Sequence, residues 1–463
     1  MKKLSLSLDD IFNITGARIY NPDSFKTIYS VSIDSRKIKK NSLFVALKGE
    51  RLDGHDFVKE VVNKGVTAVM IDNKKYKMFS SLVLPVITVD DTLTAYGQLA
   101  NTWRKKLKAK VIGITGSAGK TTTKEMISSI LSEKYKVNKT VSNYNNQIGV
   151  PLTILNTNAS HEILVLELGT NHFGEIAYTA NIAEPDFGLI TNIGNSHLEF
   201  LRNKKGVLRE KSELFKSVQK NNGTLFVNND DSMVSNSVKN YKNKVTYSFS
   251  SKAEVKGKLK GQSKEGKEII EIKYKDKTID GAFYFGEQSA KNLLAASAVA
   301  FRLGLNKAQI LNGIKKYKSV DKRLNIKKYK NHITLIDDTY NANPESMRYA
   351  FDLMNKISVG RKKIAVLGDM FELGSAGIRL HKNLSKDITS NKIDELLLIG
   401  DLMKNLKSQI NQLKISVTHF RDRVKLKNYI KNSGLNNSVI LVKGSRGMKM
   451  EEFVKTIEEK INA

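Results

Sequence analysis

The 463-residue chain contains no cysteine. That absence excludes disulfides, cysteine-ligated zinc and thiol catalysis, and makes a reducing cytoplasm the expected home. No stretch approaches the ~18 uninterrupted apolar residues that a membrane span requires. The N-terminal run Leu4-Ser5-Leu6-Ser7-Leu8 alternates with serine and stops at Asp9-Asp10, so no signal peptide is expected. Also missing are an arginine-rich run and an aromatic-basic platform of the kind that holds single-stranded nucleic acid. The formal net charge is nevertheless +31. Its lysines are spread through every segment beside abundant asparagine and isoleucine, which reads as a bias of residue usage. No nucleic-acid partner is expected, although an anionic substrate would gain from the field.

At about 100–200 residues per domain the length leaves room for two to four domains. Alternating apolar runs and helical periodicity predict an α/β protein of three: a small α/β domain at 1–108, a central P-loop domain at 109–320 built on a doubly wound, mostly parallel sheet, and a C-terminal Rossmann-like sheet at 321–463. In the first, strands are expected at 32–36, 42–48 and 67–71, with helices at 57–64 and 93–107. In the second, apolar strands are expected at 163–168, 187–193 and 224–227, and a small antiparallel sheet at 245–285 is expected to cover one edge. In the third, strands are expected at 333–337, 364–367, 396–399, 417–420 and 439–442. The GxGxxG fingerprint that a dinucleotide site would carry after its first strand is absent.

The most informative stretch is Val111-Ile112-Gly113-Ile114-Thr115-Gly116-Ser117-Ala118-Gly119-Lys120-Thr121-Thr122-Thr123. It reads as a buried strand, a tight loop and a helix start. Gly116 and Gly119 let the loop's N–H groups converge on one point, Lys120 adds a positive charge there, and Thr121 offers a hydroxyl to a magnesium ion. Together they predict an ATP or GTP site. The loop is a variant, because Ile114 stands where the strict pattern has its first glycine. Ligands in such sheets gather at the carboxyl ends of strands, so Glu167, in Glu167-Leu168-Gly169, and His197, in Gly194-Asn195-Ser196-His197, are expected to converge with Lys120 as magnesium ligands. The aspartate pair in Asp337-Asp338-Thr339-Tyr340-Asn341-Ala342-Asn343-Pro344 marks a further strand-end site, since buried carboxylates need partners. Asp34-Ser35-Arg36 and the polar loop at 48–56 could hold a diphosphate or a sugar.

With these positions in place, the chain resembles the Mur ligase family of ATP-dependent amide-forming enzymes along all three domains. The resemblance is carried by the loop above, by residues 143–151 (Asn-Tyr-Asn-Asn-Gln-Ile-Gly-Val-Pro), 167–176, 337–346 and 367–374, and by Lys443-Gly444-Ser445-Arg446-Gly447-Met448. It implies that Gly116, Ser117, Ala118, Gly119, Lys120, Thr121 and Thr122 hold ATP phosphates, with Asn292 on the adenine, Arg323 on the phosphates and Asp338 on the ribose. It further implies that Thr121, Glu167, His197 and a carbamylated Lys211 hold Mg2+, that Lys120, Lys211 and His197 are catalytic, and that Ser35, Arg36, Asn145, Asn146 and His172 bind the UDP-muramoyl peptide. The implied reaction activates the terminal carboxylate of a UDP-N-acetylmuramoyl-tripeptide with ATP, and D-alanyl-D-alanine then attacks the acyl phosphate. The implied partners are these small molecules, and a monomer is expected. Two rivals stay open: a family member that adds a single amino acid, and a nucleic-acid-stimulated ATPase. The family's usual His-Asn pair before the adenine asparagine is missing, and Lys322 stands where a glycine is common.

Overall fold

The computed structural model describes residues 4–262, 268–283, 287–318, 321–410 and 415–462. Within them three sheets follow one another along the chain, as the α/β reading anticipates. The expected boundary at 320 lies outside the described residues.

The nine-stranded central sheet is built around the strand Lys110–Thr115, whose Val111, Ile112 and Ile114 are wholly buried. Each such side chain contributes about 1.5–3 kcal/mol by leaving water. On one side of it runs Ile163–Glu167 and then Val137–Lys139; on the other run Phe187–Ile190, Thr224–Asn228 and Lys244–Ser248. All of these pairings are parallel. Their carboxyl ends therefore open on one rim of the sheet. The strands Val255–Gln262, Glu268–Tyr274 and Lys277–Phe283 are mutually antiparallel, as expected. They do not form a separate cover, because Val255 pairs in parallel with Tyr247 and the three simply extend the central sheet.

In the N-terminal sheet the strands run in the order Arg18–Tyr20, Val86–Val89, Ala68–Asp72, Ser42–Val45 and Ser30–Ser32, only the first pair being antiparallel. The strand expected at 32–36 ends at Ser32. Asp34 Oδ1 accepts the backbone N–H of Arg36 at 3.1 Å, which turns the chain into the 3₁₀ helix Ser35–Lys37. An aspartate hydrogen-bonding two residues ahead is a turn former that outcompetes strand pairing.

The C-terminal sheet has the order Asn325–Lys328, Thr334–Asp338, Ser438–Lys443, Lys362–Gly368, Glu395–Ile399 and Ser416–Phe420. Its five longer strands are parallel and fall where apolar runs predict them. The antiparallel edge strand Asn325–Lys328 was not legible, since Lys327 and Lys328 make it look like a loop; lysines are what an edge strand tolerates. The helix Pro344–Ile357 starts with a capping box, in which Asn343 Oδ1 accepts Ser346 N–H and Ser346 Oγ accepts Asn343 N–H, and with proline in its first turn. Among the described residues no helix is long and apolar enough to cross a membrane.

Candidate active site

The carboxyl rims of the central and C-terminal sheets face each other across a cavity of about 430 Å³. The phosphate-type loop forms one wall. Gly116 has a φ of +149°, and a Cβ there would lie 1.9 Å from Thr191 Oγ1, so only glycine lets the chain leave the strand at this point. This explains Ile114: the strand continues one residue beyond it, and Gly116 makes the turn that the missing glycine would have begun. Ser117 N–H donates to Asn192 O at 3.0 Å and Ala118 N–H to Asn192 Oδ1 at 3.0 Å. Two loop amides are thus occupied by the neighbouring strand end. The donors left for a ligand are those of the first turn of the helix Lys120–Leu131, which lack intrahelical partners and carry the positive end of the helix dipole.

Lys120 lies half-buried over this turn, with Nζ donating to Gly116 O at 2.8 Å. Burial holds its ammonium below the usual lysine range; Glu167 opposes that shift and Arg323 adds to it. Thr121 Oγ1 donates to Glu167 Oε1 at 3.1 Å, and Asn145 Nδ2 donates to the same oxygen at 3.0 Å. Lys211, on the helix Lys204–Lys220, is wholly buried. Burial first, and then the charge of Lys120, push its ammonium far below the usual range against the pull of Glu210. His197 has a left-handed backbone at φ +54°. Its imidazole is held below the usual range by burial, with Glu372 opposing and Lys211 and Lys120 reinforcing.

The C-terminal sheet supplies the opposite wall. Asp338 ends its strand beside Lys443, which ends the neighbouring strand; both are buried and their side chains form an ion pair. Lys443 Nζ also donates to Asn341 O at 2.9 Å, and Asp338 Oδ1 accepts Leu324 N–H at 3.1 Å. The companion Asp337 accepts both N–H and Oγ1–H of Thr339, and burial raises its carboxyl. Arg323 stacks its guanidinium 4.0 Å from the Tyr340 ring centroid. The two walls also touch directly: Asn343 Nδ2 donates to Ser117 O at 3.3 Å, Asn195 donates twice to Glu345 Oε1 at 2.9 Å, and His197 Nδ1 lies 2.6 Å from Glu372 Oε2.

The cavity thus brings together Ser117, Ala118, Gly119, Lys120 and Thr122 with Asn145, Glu167, His197 and Asn292, and across from them Arg323 and Asp338. Asn292 is buried and also lines an adjoining cavity of about 340 Å³, placing it between the two spaces. Seven expected site residues lie outside the lining: Gly116, Thr121 and Lys211, which are buried, and Asn146, His172, Ser35 and Arg36. Asn146 is exposed, and its Oδ1 accepts Ile148 and Gly149 N–H, fastening the start of the helix Gly149–Leu155. His172 packs against Phe200, with ring centroids 4.1 Å apart. Ser35 and Arg36 sit on the N-terminal sheet, where Arg36 is exposed and paired to Asp34 at 2.8 Å. Among the described residues no group of three or more His, Cys, Asp or Glu gathers to hold a metal ion. The expected set contains only two such side chains, Glu167 and His197.

Sequence reasoning missed three contributors. Glu372 follows the strand Lys362–Gly368, and its loop is fixed by Phe371 N–H donating to Ser445 Oγ at 2.7 Å. Glu210 accepts Gly174 and Ile176 N–H at 2.8 Å, shaping the turn after Glu167. Lys443 neutralises Asp338. The first and third lie at strand ends, so the strand-end rule that found Glu167 could have found them.

Family comparison agrees with this architecture. The model described as Mur ligase family, catalytic domain matches residues 27–104, Mur ligase middle domain matches 114–300, and Mur ligase, glutamate ligase domain matches 322–446. The chain is 35% identical to the UDP-N-acetylmuramoyl-tripeptide–D-alanyl-D-alanine ligase of Bacillus subtilis over 98% of both chains, and 32% identical to that of Escherichia coli over 98% of this chain and 99% of the relative. A crystal structure of MurF from Acinetobacter baumannii superposes with a TM-score of 0.87 at 30% identity, covering 99% of this chain and 100% of that one. The MurF ligase of Thermotoga maritima in complex with ADP gives 0.82 at 28% identity, covering 94% and 98%. A three-sheet α/β chain with this loop, these strand-end residues and these full-length relatives belongs to the Mur ligase family.

Proposed function

We propose that this chain joins D-alanyl-D-alanine to UDP-N-acetylmuramoyl-tripeptide in an ATP-dependent reaction of peptidoglycan precursor synthesis, acting in the cytoplasm as a monomer. The reading takes the three sheets as three domains, 1–108, 109–320 and 321–463, with the nucleotide between the second and third. The observation that carries it is the meeting of Lys120 and Arg323 from opposite walls over one cavity, close enough for Arg323 to act on the charge of Lys120. The relatives' names supply the acceptor and donor.

In this reaction the tripeptide carboxylate attacks the γ-phosphorus of ATP, an oxygen–phosphorus bond forms, and ADP leaves. The amine of D-alanyl-D-alanine then attacks the acyl carbon, phosphate leaves and the ammonium proton is lost. An anion attacking a triphosphate must have its repulsion neutralised, and positioning supplies most of the rest. Lys120 and the first-turn amides of its helix would hold phosphate oxygens, Arg323 would approach them from the other wall, Asn292 would meet the adenine and Asp338 the ribose. Asn145 would meet the muramoyl-peptide near Glu167. Asn146, His172, Ser35 and Arg36, outside the cavity lining, would act on the more distant sugar and uridine diphosphate.

The residues also fit a magnesium ion. Glu167 is a buried carboxylate whose Oε1 stands beside the Thr121 hydroxyl at the cavity wall, two oxygen donors of the kind a hard cation takes. Thr121, Glu167, His197 and Lys211 would hold the ion, which when bound offsets phosphate charge. A bare ammonium at Lys211 would repel it. The buried Lys211, pressed toward its neutral amine, is suited to add carbon dioxide and become a carbamate anion.

The test is phosphate release by the purified chain with lysine-type and diaminopimelate-type tripeptide precursors, each with and without D-alanyl-D-alanine. Release is expected only with ATP, one precursor and the dipeptide together. Equal release with a free amino acid, or release stimulated by DNA or RNA without precursor, would overturn the reading.

A further inference from the structure

Lys124 lies one turn beyond Lys120 on the helix Lys120–Leu131 and is wholly buried. Its Nζ donates to Thr140 O at 2.7 Å and lies 3.1 Å from Glu125 Oε1 and 3.8 Å from Glu167 Oε2. Burying an ammonium is costly, and a helix that needed only to fill space here would be served by an apolar side chain of similar length. The neighbourhood shows what the charge does. Glu167 Oε1 is claimed by Thr121 and Asn145, while Oε2 accepts no hydrogen bond. Among the described residues Lys124 is the one cation at ion-pair distance from that second oxygen. Thr140 ties the two residues together, since its carbonyl accepts from Lys124 and its hydroxyl accepts Glu167 N–H at 3.0 Å. Behind Lys124 the charges continue to alternate: Glu125 is paired in turn with the more exposed Lys139.

We propose that Lys124 is a positioning residue for Glu167, holding the carboxylate with Oε1 on Thr121 and Asn145 at the cavity wall and Oε2 toward the helix. Lys124 reaches neither nucleotide nor substrate itself. The proposal rests on the reading of Glu167 as a magnesium–nucleotide contact. An outer partner of this kind changes the affinity of the site it orients by about 10- to 100-fold when removed.

A double-mutant cycle on the full chain tests it, with Lys124→Met, Glu167→Gln and the pair, reading ADP affinity by calorimetry with and without Mg2+. Lys124→Met is expected to weaken ADP binding in Mg2+ about tenfold or more, to leave Mg2+-free ADP binding essentially unchanged, and to add nothing in the Glu167→Gln background. Equal losses in both backgrounds, or with and without Mg2+, would assign Lys124 a purely structural role and overturn the proposal alone. A Glu167→Gln variant that binds ADP with unaltered Mg2+ dependence would overturn the reading of Glu167 and the proposal with it. Should Lys124→Met fail to fold, Lys124→Gln, whose amide can still donate toward Thr140 O, enters the same cycle with the same expectations.

Discussion

On the C-terminal wall of the cavity a buried lysine meets a buried carboxylate: Lys443 sits against Asp338, and backbone groups take up what remains of both. On the central wall the buried Lys211 has Lys120 as the strongest neighbouring charge, and the two repel. The same residue type in similar burial therefore has opposite standing. The Lys443–Asp338 pair is matched within the protein, whereas around Lys211 the like charge of Lys120 outweighs the pull of Glu210, and a bound anion would relieve it. The difference marks where a polyanionic ligand belongs, and it separates lysines that stabilise the fold from lysines that stress it.

Breaking the matched pair should cost the most stability. Lys443→Met leaves Asp338 buried and unpaired, and is expected to lower the unfolding free energy by about 3–5 kcal/mol, read from the denaturant midpoint. A loss below about 1 kcal/mol would mean that the pair is no more than a surface-like contact. The central wall should respond in the opposite sense. Lys120→Met is expected to reduce turnover about 10²- to 10³-fold by removing a charge from the reacting phosphate, while the melting temperature stays level or rises because the repulsion on Lys211 is relieved. A variant that loses activity and stability together would erase the contrast between the walls. The smallest effect is expected at Lys322, which has a φ of +61° and pairs with Glu451 at 3.0 Å. Lys322→Gly removes left-handed strain but also a partly exposed ion pair, so the change should stay within about 1 kcal/mol in either direction. A larger loss by calorimetry would show that the Glu451 pair, which also holds Arg446 at 3.1 Å, anchors this wall.

Lys322 also shows how the sequence could be misjudged. It stands where the resemblance has a common glycine; its left-handed backbone, φ +61°, is one that glycine adopts freely, and the ion pair with Glu451 gives lysine a partner there. Ile114 is a similar case, since the turn it seemed to lack is made two residues later at Gly116. The strand expected at 32–36 failed for a local reason, the Asp34 side chain capping Arg36. The antiparallel edge of the central sheet was recognised as strands but not as part of that sheet, because pairing between Lys244–Ser248 and Val255–Gln262 depends on a parallel contact that alternation of residues does not encode.

Apart from the local turn at Asp34, what the sequence determined by itself was governed by short-range chemistry: apolar runs that must be buried strands, a glycine-lysine-threonine loop that must present amides and charge, and strand-end carboxylates that need partners. Tertiary structure alone decided which partner each charge obtains. Asp338 is neutralised by Lys443, 105 residues away along the chain, while the buried Lys211 feels the like charge of Lys120. Strand order sets these meetings, and strand order is fixed by how whole helices and sheets pack, not by any motif at the residues that meet.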